Sequence, residues 1–298
     1  MDCLADFLAR HAVLILCIAT LALLVATALF WKLVHTHAPA IWRFALRTWN
    51  TLAATGLAAP ASRIPLLGRS LTGTLTAARF LGVFALIGFL LAASALALFV
   101  ELADEIDADE SLGRFDSALS TALRTHLPHG TLRVFSVITR LGDPGFLLAL
   151  AAVVALTLLA QRRLALAAAW VVAISSGALL NRILKTWFER TRPIHDHGLV
   201  SETSWSFPSG HASGSMLVYG LLGYLIVRHA PRAWHLPVAL TTVALVVFVG
   251  SSRVLLQVHY LSDVLAGYAS GAAWVALWIA GLEAARWRAA RGGVGAPS

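Results

Sequence analysis

Residues 164–193 read LALAAAWVVAISSGALLNRILKTWFERTRP. The apolar run Leu164–Leu184 is long enough to cross a hydrocarbon core, which takes about 20 helical residues. It ends on Lys185, and Pro193 closes the basic stretch that follows. A long apolar block ending in cations reads as a membrane-spanning helix meeting headgroup or water.

Six further apolar stretches repeat the theme: Ala12–Val34, Phe80–Val100, Phe146–Ala160, Ala212–Val227, Val238–Gly250 and Leu261–Leu282. Phe146–Ala160 and Val238–Gly250 are short for a span and are expected to extend into their flanks, the latter toward Arg253. Composition agrees. Of 298 residues, 58% are hydrophobic and 13% charged, and mean hydropathy is +0.77. Soluble domains carry about twice that charged fraction. The expected fold is all-α, a polytopic transmembrane helix bundle.

The net charge of +8 and pI near 10.5 would suggest nucleic acid in a soluble domain. Here the basic residues flank apolar blocks, so sidedness and anionic lipid account for them, and no nucleic-acid partner is expected. Cys3 and Cys17 lie before and within the first apolar block, so neither a bridge nor a reactive thiolate is expected. Asp2 and Asp6 against Arg10 do not make the basic start of a cleavable signal.

The flanks set the orientation. Lys32, Arg43, Arg47, Arg63, Arg69 and Arg79 fall on one side, followed by Arg162 and Arg163, Arg228 and Arg232, and Arg286, Arg288 and Arg291. The segment Glu101–Gly145, of opposite parity, is acidic on balance. Positive segments stay in the cytoplasm. The acidic segment therefore faces outward, together with Lys185–His211 and the join Arg253–Tyr260. Ala38–Ala78 reads as one or two amphipathic surface helices, with Trp42, Leu46 and Trp49 at helical spacing, or equally as a solvated basic connector. Phe115–Leu127 reads as a short outer amphipathic helix.

The two outward segments after residue 184 hold the unusual polar residues. Lys185 and Arg192 are seven apart, two turns at about 100° per residue, so a continuous helix puts both on one face. Snorkelling edge cations are the competing reading. Ser206–Ser213 reads SFPSGHAS and leads into an apolar block. Ser209, Gly210 and His211 would form a first helical turn, whose free N–H groups and dipole suit a phosphate. A capped helix start explains the serine equally well but leaves His211 without a purpose. His259 and Asp263 are i and i+4, neighbours on one face if the helix is continuous, and a carboxylate on one ring nitrogen leaves the other free to attack. The acidic segment 101–145 offers no comparable cluster.

Lys185-x6-Arg192-Pro193, Pro208-Ser209-Gly210-His211 and Ser252-Arg253-x5-His259-x3-Asp263, in that order, resemble the three-part signature of the type 2 phosphatidic acid phosphatase superfamily. That superfamily holds membrane lipid phosphatases and the related vanadium haloperoxidases. Arg140-Leu-Gly-Asp-Pro144 resembles a stretch preceding the second core helix of bacterial members. The resemblance implies a six-helix core over Phe80–Leu282, here with an additional N-terminal transmembrane helix. The expected division is 1–79 for that helix and the basic segment, 80–285 for the catalytic core, and 286–298 for a basic tail.

It also implies roles. Lys185, Arg192 and Arg253 would hold the phosphate, with Ser209 and the Gly210 N–H adding hydrogen bonds. His259, oriented by Asp263, would attack phosphorus, and His211 would protonate the leaving oxygen. Cations take the part of Mg²⁺, so neither metal nor cofactor is expected. The implied enzyme is a lipid phosphatase of a bacterial inner membrane with its site facing the exterior. Its partners are a lipid phosphate and the bilayer; nothing in the pattern specifies an oligomer. Undecaprenyl diphosphate comes first among substrates, before phosphatidylglycerophosphate, phosphatidic acid and a lipid A phosphate. A phosphotransferase with a lipid acceptor would use the same residues, and a non-catalytic membrane protein is the remaining alternative. Glu202 and Trp205 read first as solvated loop and second as selectivity residues.

Overall fold

A computed structural model describes residues 2–54, 88–107 and 109–292, without the side chains of residues 35, 38–54 and 287–292. The described chain is helical with no strand. The helices are α1 (Asp2–Arg10), α2 (Ala12–Ala54), α3 (described over 88–104), α4 (Ser111–His126), α5 (His129–Ile138), α6 (Pro144–Ala160), α7 (Leu164–Phe188), α8 (Gly210–His229), α9 (His235–Leu255) and α10 (Leu261–Gly292). Among the described residues six segments are long and apolar enough to cross a membrane, in α2, α5–α6, α7, α8, α9 and α10.

The expected spans land on these helices. The short sixth stretch extends to Arg253 and on to Leu255, and the short third is α6, continuous with α5 through a 3-10 turn at Thr139–Gly142. Of the stretch 80–100, residues 88–100 are helical and 80–87 lie outside the described residues. The surface-helix expectation for 38–78 also falls mostly outside them: the backbone of 38–54 continues α2, and 55–78 are not described. The outer helix expected at Phe115–Leu127 is α4.

Side chains such as Leu148, Val153 and Leu156 on α6 face outward. In a bilayer that is their proper solvent, and the helix pairs the backbone groups of its interior with one another. The interior core joins α6 through α10, with Trp170, Leu217, Leu221 and Val246 at its centre. A second core lies at the other end of the site, where Ala5 and Ala9 of α1 pack with Leu119 and Leu123 of α4 and with Leu255, Leu256 and Val258. The additional helix α2 runs alongside α9, where the rings of Trp31 and His235 meet edge to face at 6.1 Å.

The contact that fixes the site is α8 against α10. A Cβ at Gly267 would lie 2.7 Å from the Ser209 carbonyl and 2.9 Å from the Ala212 Cβ, and one at Gly271 would lie 2.9 Å from the Ser213 carbonyl. Gly267 and Gly271 thus form a four-residue-spaced small face that lets two backbones touch. Gly267→Ala should push the first turn of α8 away from α10, costing about 1–3 kcal/mol and lowering the melting temperature in detergent along with turnover. Gly281→Ala, on the same helix with nothing within 4 Å, is the control. Unchanged melting and turnover in Gly267→Ala would mean the two helices have room to spare.

Candidate functional site

Three chain reversals bring the polar residues together. The first ends α7 earlier than the spacing argument required. Glu189 takes a left-handed conformation (φ 46°) and its N–H returns to the Lys185 carbonyl. Arg190 to Pro193 are therefore not helical, and Lys185 and Arg192 do not share a helical face. They converge for another reason: the chain after Glu189 folds back beside residues 204–206. Lys185 Nζ donates to the Trp205 carbonyl, and Arg192 donates from Nε to the Ser204 carbonyl at 2.7 Å and from Nη2 to the Trp205 carbonyl at 3.3 Å.

The second reversal begins α8. Ser209 is its N-cap, accepting from the Ala212 N–H at 3.5 Å, and Gly210 and His211 form the first turn as expected. The Ser209 N–H donates to the Asp263 carbonyl at 2.9 Å, tying this turn to α10.

The third lies between α9 and α10. Gln257 is left-handed (φ 53°), and the N–H groups of Val258 and His259 both return to the Arg253 carbonyl, at 3.1 and 3.2 Å. The helix is thus not continuous from His259 to Asp263, because α10 starts at Leu261. Asp263 instead sits in its first turn and accepts the Tyr260 N–H at 2.9 Å, as the third residue of a capping box does. The same oxygen lies 3.3 Å from His259 Nδ1.

The network assigns the histidine tautomer. His259 Nδ1 faces only acceptors, Asp263 Oδ2 and the Ser206 hydroxyl at 3.4 Å, while Arg192 Nη1 donates to Nε2 at 3.1 Å. Nδ1 therefore carries the proton and Nε2 presents its lone pair to the cavity. Burial pulls the His259 imidazole down to about 3, against the upward pull of Asp263. A neutral ring whose Nε2 lone pair is held only by the Arg192 guanidinium can act as a nucleophile once a phosphate draws that guanidinium to itself.

His259 opens into a cavity of about 630 Å³. Its head is lined by Lys185, Arg192, Glu202, Gly210, His211 and His259, and its body by side chains such as Leu147, Ile174, Leu217 and Trp274. Leu148, 67% exposed, also lines it, so the apolar body reaches the outside of the bundle between helices. A cationic head on an apolar chamber suits a molecule with an anionic end and a hydrocarbon tail.

Not every expected residue lines that cavity. Arg253 is fully buried, donating from Nη1 to Thr139 Oγ1 at 2.8 Å and from Nη2 to Glu202. Glu202 stands between the two guanidinium groups, 3.6 Å from Arg192 Nη2. It is thus an ion-pair partner inside the cluster, not the solvated loop residue that came first in the sequence reading. Ser209 and Asp263 lie behind the cavity wall, as supports for Gly210 and His259.

The sequence reading gave no part in the site to four other residues. His211 Nε2 meets Asp143 Oδ1 at 2.9 Å, so a second His–Asp pair flanks the cavity. Ser206 donates to Asp263 Oδ2 at 2.5 Å. Arg190 donates to Asp263 Oδ1 at 2.6 Å and to Asp116 Oδ2 at 3.0 Å. Asp116 and Asp143 both come from the acidic segment 101–145, which has no cluster of its own but lends one carboxylate to each histidine's surroundings. Asp143 lies in the Arg140–Pro144 motif, and Arg190 and Ser206 lie in the stretches around Lys185 and Ser209; Asp116 stands outside every motif. Among the described residues no group of three or more His, Cys, Asp or Glu side chains is arranged to hold a metal ion.

Comparison with known proteins follows the same residues. Residues 164–287 match the PAP2 superfamily. The chain is 36% identical over 140 residues to phosphatidylglycerophosphatase B of Bacillus subtilis, covering 46% of this chain and 68% of that one. It is 33% identical over 113 residues to a lipid A 1-phosphatase of Rhizobium etli, covering 35% of this chain and 44% of the relative. A crystal structure of a transmembrane PAP2-type phosphatidylglycerolphosphate phosphatase from Bacillus subtilis superposes with a TM-score of 0.60 at 32% identity, over 64% of this chain and 96% of that one.

Proposed function

The chain belongs to the PAP2 superfamily as a multi-pass membrane protein, and we propose that it is a lipid phosphatase working through a phosphohistidine on His259. One observation carries the reading: a neutral His259 with its Nε2 lone pair aimed among cations, at the polar head of an apolar cavity.

In the proposed cycle the lipid phosphate enters with its chain in the apolar body. Its oxygens are held by Lys185, Arg192 and the Gly210 N–H, and they displace the Glu202 carboxylate to reach Arg253. His259 Nε2 attacks phosphorus in line, and the bond from phosphorus to the lipid oxygen breaks. His211 delivers the proton that the departing oxygen needs. The positive charge left on the phosphorylated ring is balanced through Nδ1–H by Asp263. Water then attacks phosphorus and gives its proton to His211, releasing inorganic phosphate and restoring His259. Asp143 holds the His211 ring through both steps.

Phosphate-charge neutralisation by fixed cations makes the reaction independent of a metal in this proposal. The substrate class is a lipid phosphomonoester or diphosphate. Undecaprenyl diphosphate comes first on sequence alone; similarity to proteins named for phosphatidylglycerophosphate supports testing that lipid before it. Residues 80–285 form the proposed catalytic core, with the N-terminal helix and basic segment 1–79 and the tail 286–298 as additions. The proposed location is a bacterial inner membrane with the site on the outer face, following the charge of the flanks.

The test is phosphate release by the detergent-purified protein in EDTA. The panel is phosphatidylglycerophosphate, undecaprenyl diphosphate, phosphatidic acid and lipid A, with vanadate as inhibitor. Release from at least one lipid, blocked by vanadate and indifferent to EDTA, is expected. Activity lost in EDTA and restored by Mg²⁺ would overturn metal independence. Release from none of the four would overturn the hydrolase and direct the assay to a lipid acceptor.

A further inference from the structure

Arg190 and Asp116 form a buried pair that the reaction scheme above does not use. The Arg190 guanidinium spans two carboxylates, Asp263 Oδ1 at 2.6 Å and Asp116 Oδ2 at 3.0 Å, and also donates to Ser262 Oγ at 2.7 Å. Both carboxylates are fully buried, and the Arg190 side chain is only 10% exposed. Asp116 accepts the Ser262 N–H at 3.2 Å and the Ser262 hydroxyl, so it grips the first turn of α10 from the neighbouring α4. The Arg190 guanidinium lies 4.3 Å from the centre of the Tyr260 ring, beside the turn that carries His259.

A carboxylate with both oxygens committed cannot swing. Asp263 Oδ1 is taken by Arg190, and Oδ2 is shared by Ser206, the Tyr260 N–H and His259. Of these, Arg190 is the one full positive charge, and it holds the oxygen that His259 does not touch. It thereby holds the carboxylate turned so that Oδ2 meets Nδ1.

We propose that Arg190 and Asp116 are positioning residues for the His259–Asp263 pair, a bridge that transmits the placement of the outer helix α4 to the nucleophile. The inference rests on the proposed phosphohistidine chemistry. α4 is in turn held by α1, whose Ala5 and Ala9 are buried in the core that includes Leu119 and Leu123. The N-terminal segment outside the family match is thereby packed against the element that supports the catalytic pair.

Neither residue lines the cavity or touches the three clamp cations, so the inference separates rate from anion binding. Arg190→Gln alone leaves two buried carboxylates without a cation and endangers folding. Arg190→Gln with Asp116→Asn removes one charge of each sign and keeps the local balance. In that double variant, kcat for the preferred lipid is expected to fall about 10- to 100-fold, as when an oriented histidine loses its outer partner. The Ki for inorganic phosphate is expected to stay within about twofold, since one tenfold step already needs 1.4 kcal/mol of lost contact. Asp116→Asn alone, which keeps Arg190, should show the same split to a smaller degree, and decides the matter if the double variant does not fold.

A folded double variant with wild-type kcat overturns the inference, as does wild-type kcat in Asp116→Asn when only that protein folds. A parallel loss of kcat and phosphate affinity also overturns it, by showing general damage to the site. A wild-type protein that releases phosphate, and loses this ability in His259→Ala, locates any such failure in the inference alone. A wild type that releases none from any lipid removes the functional reading and this inference with it.

Discussion

His259→Ala is expected to lower kcat by about 10⁴-fold or more while leaving a folded protein in detergent. A nucleophile that forms a covalent intermediate cannot be replaced by its neighbours, and losses of this size are usual for residues acting as one unit. The fold should survive because the supports of the surrounding turn do not pass through the imidazole. Val258 and His259 anchor by their main-chain N–H groups to the Arg253 carbonyl, and Asp263 keeps Ser206, Arg190 and the Tyr260 N–H. The stability cost is then an ordinary side-chain truncation, about 1–3 kcal/mol. The wild type mixed with labelled lipid and quenched in alkaline denaturant, where a phosphoramidate survives, should retain label on the peptide containing His259. Near-normal turnover in His259→Ala would sink the mechanism; full turnover without trapped label would point to direct attack by water.

How the sequence relates to this site is clearest in the residues it misplaced. Apolar blocks are long-range-independent signals: each must match the bilayer by itself, so α6 to α10 could be read one at a time. The signature residues were legible because their types are rare in such surroundings. Their geometry was not. Spacing puts Lys185 and Arg192 on one helical face, whereas a left-handed Glu189 ends the helix and the chain doubles back. His259 and Asp263 were paired as helix neighbours, whereas Asp263 reaches back as a cap across the start of α10. In both cases the two residues do lie close together, but by a different backbone path. Short turns achieve by a reversal what a helix achieves by periodicity, and single residues such as Gln257 at positive φ carry no strong sequence mark. Asp116 and Asp143 were harder still. Each is one acid in an acidic segment; the packing of α4 buries Asp116 against Ser262, while Asp143, half-exposed at the start of α6, meets His211. Burial pushes the Asp116 carboxyl up, and Ser262 and Arg190 oppose that push, a balance no linear reading contains.

Arg253 is the other residue whose loss should be severe, and its surroundings say in which quantity. Its side chain is fully buried, with Nη1 on Thr139 and Nη2 on Glu202, yet its Nε is buried with no hydrogen-bond partner among the described residues. An unmet buried donor on a charged group is costly, of order 1–3 kcal/mol, and structures seldom keep one without use. A phosphate oxygen taking the place of the Glu202 carboxylate could accept from Nη2 and from Nε together, the two-pronged contact that guanidinium makes and ammonium cannot. Arg253→Lys keeps the charge and removes the fork. It is expected to raise the Ki for inorganic phosphate about 10-fold and to lower kcat about 10²-fold, because the contact strengthens as charge gathers on the transferring phosphoryl group. Arg253→Gln, which loses the charge as well, should lose about another 10-fold in kcat. Inhibition by phosphate and turnover of the best lipid substrate, measured side by side for the two variants, give both numbers. If Arg253→Lys binds phosphate as the wild type does, the fork plays no part in anion recognition, and Arg253 serves only to hold Glu202 and Thr139 in place.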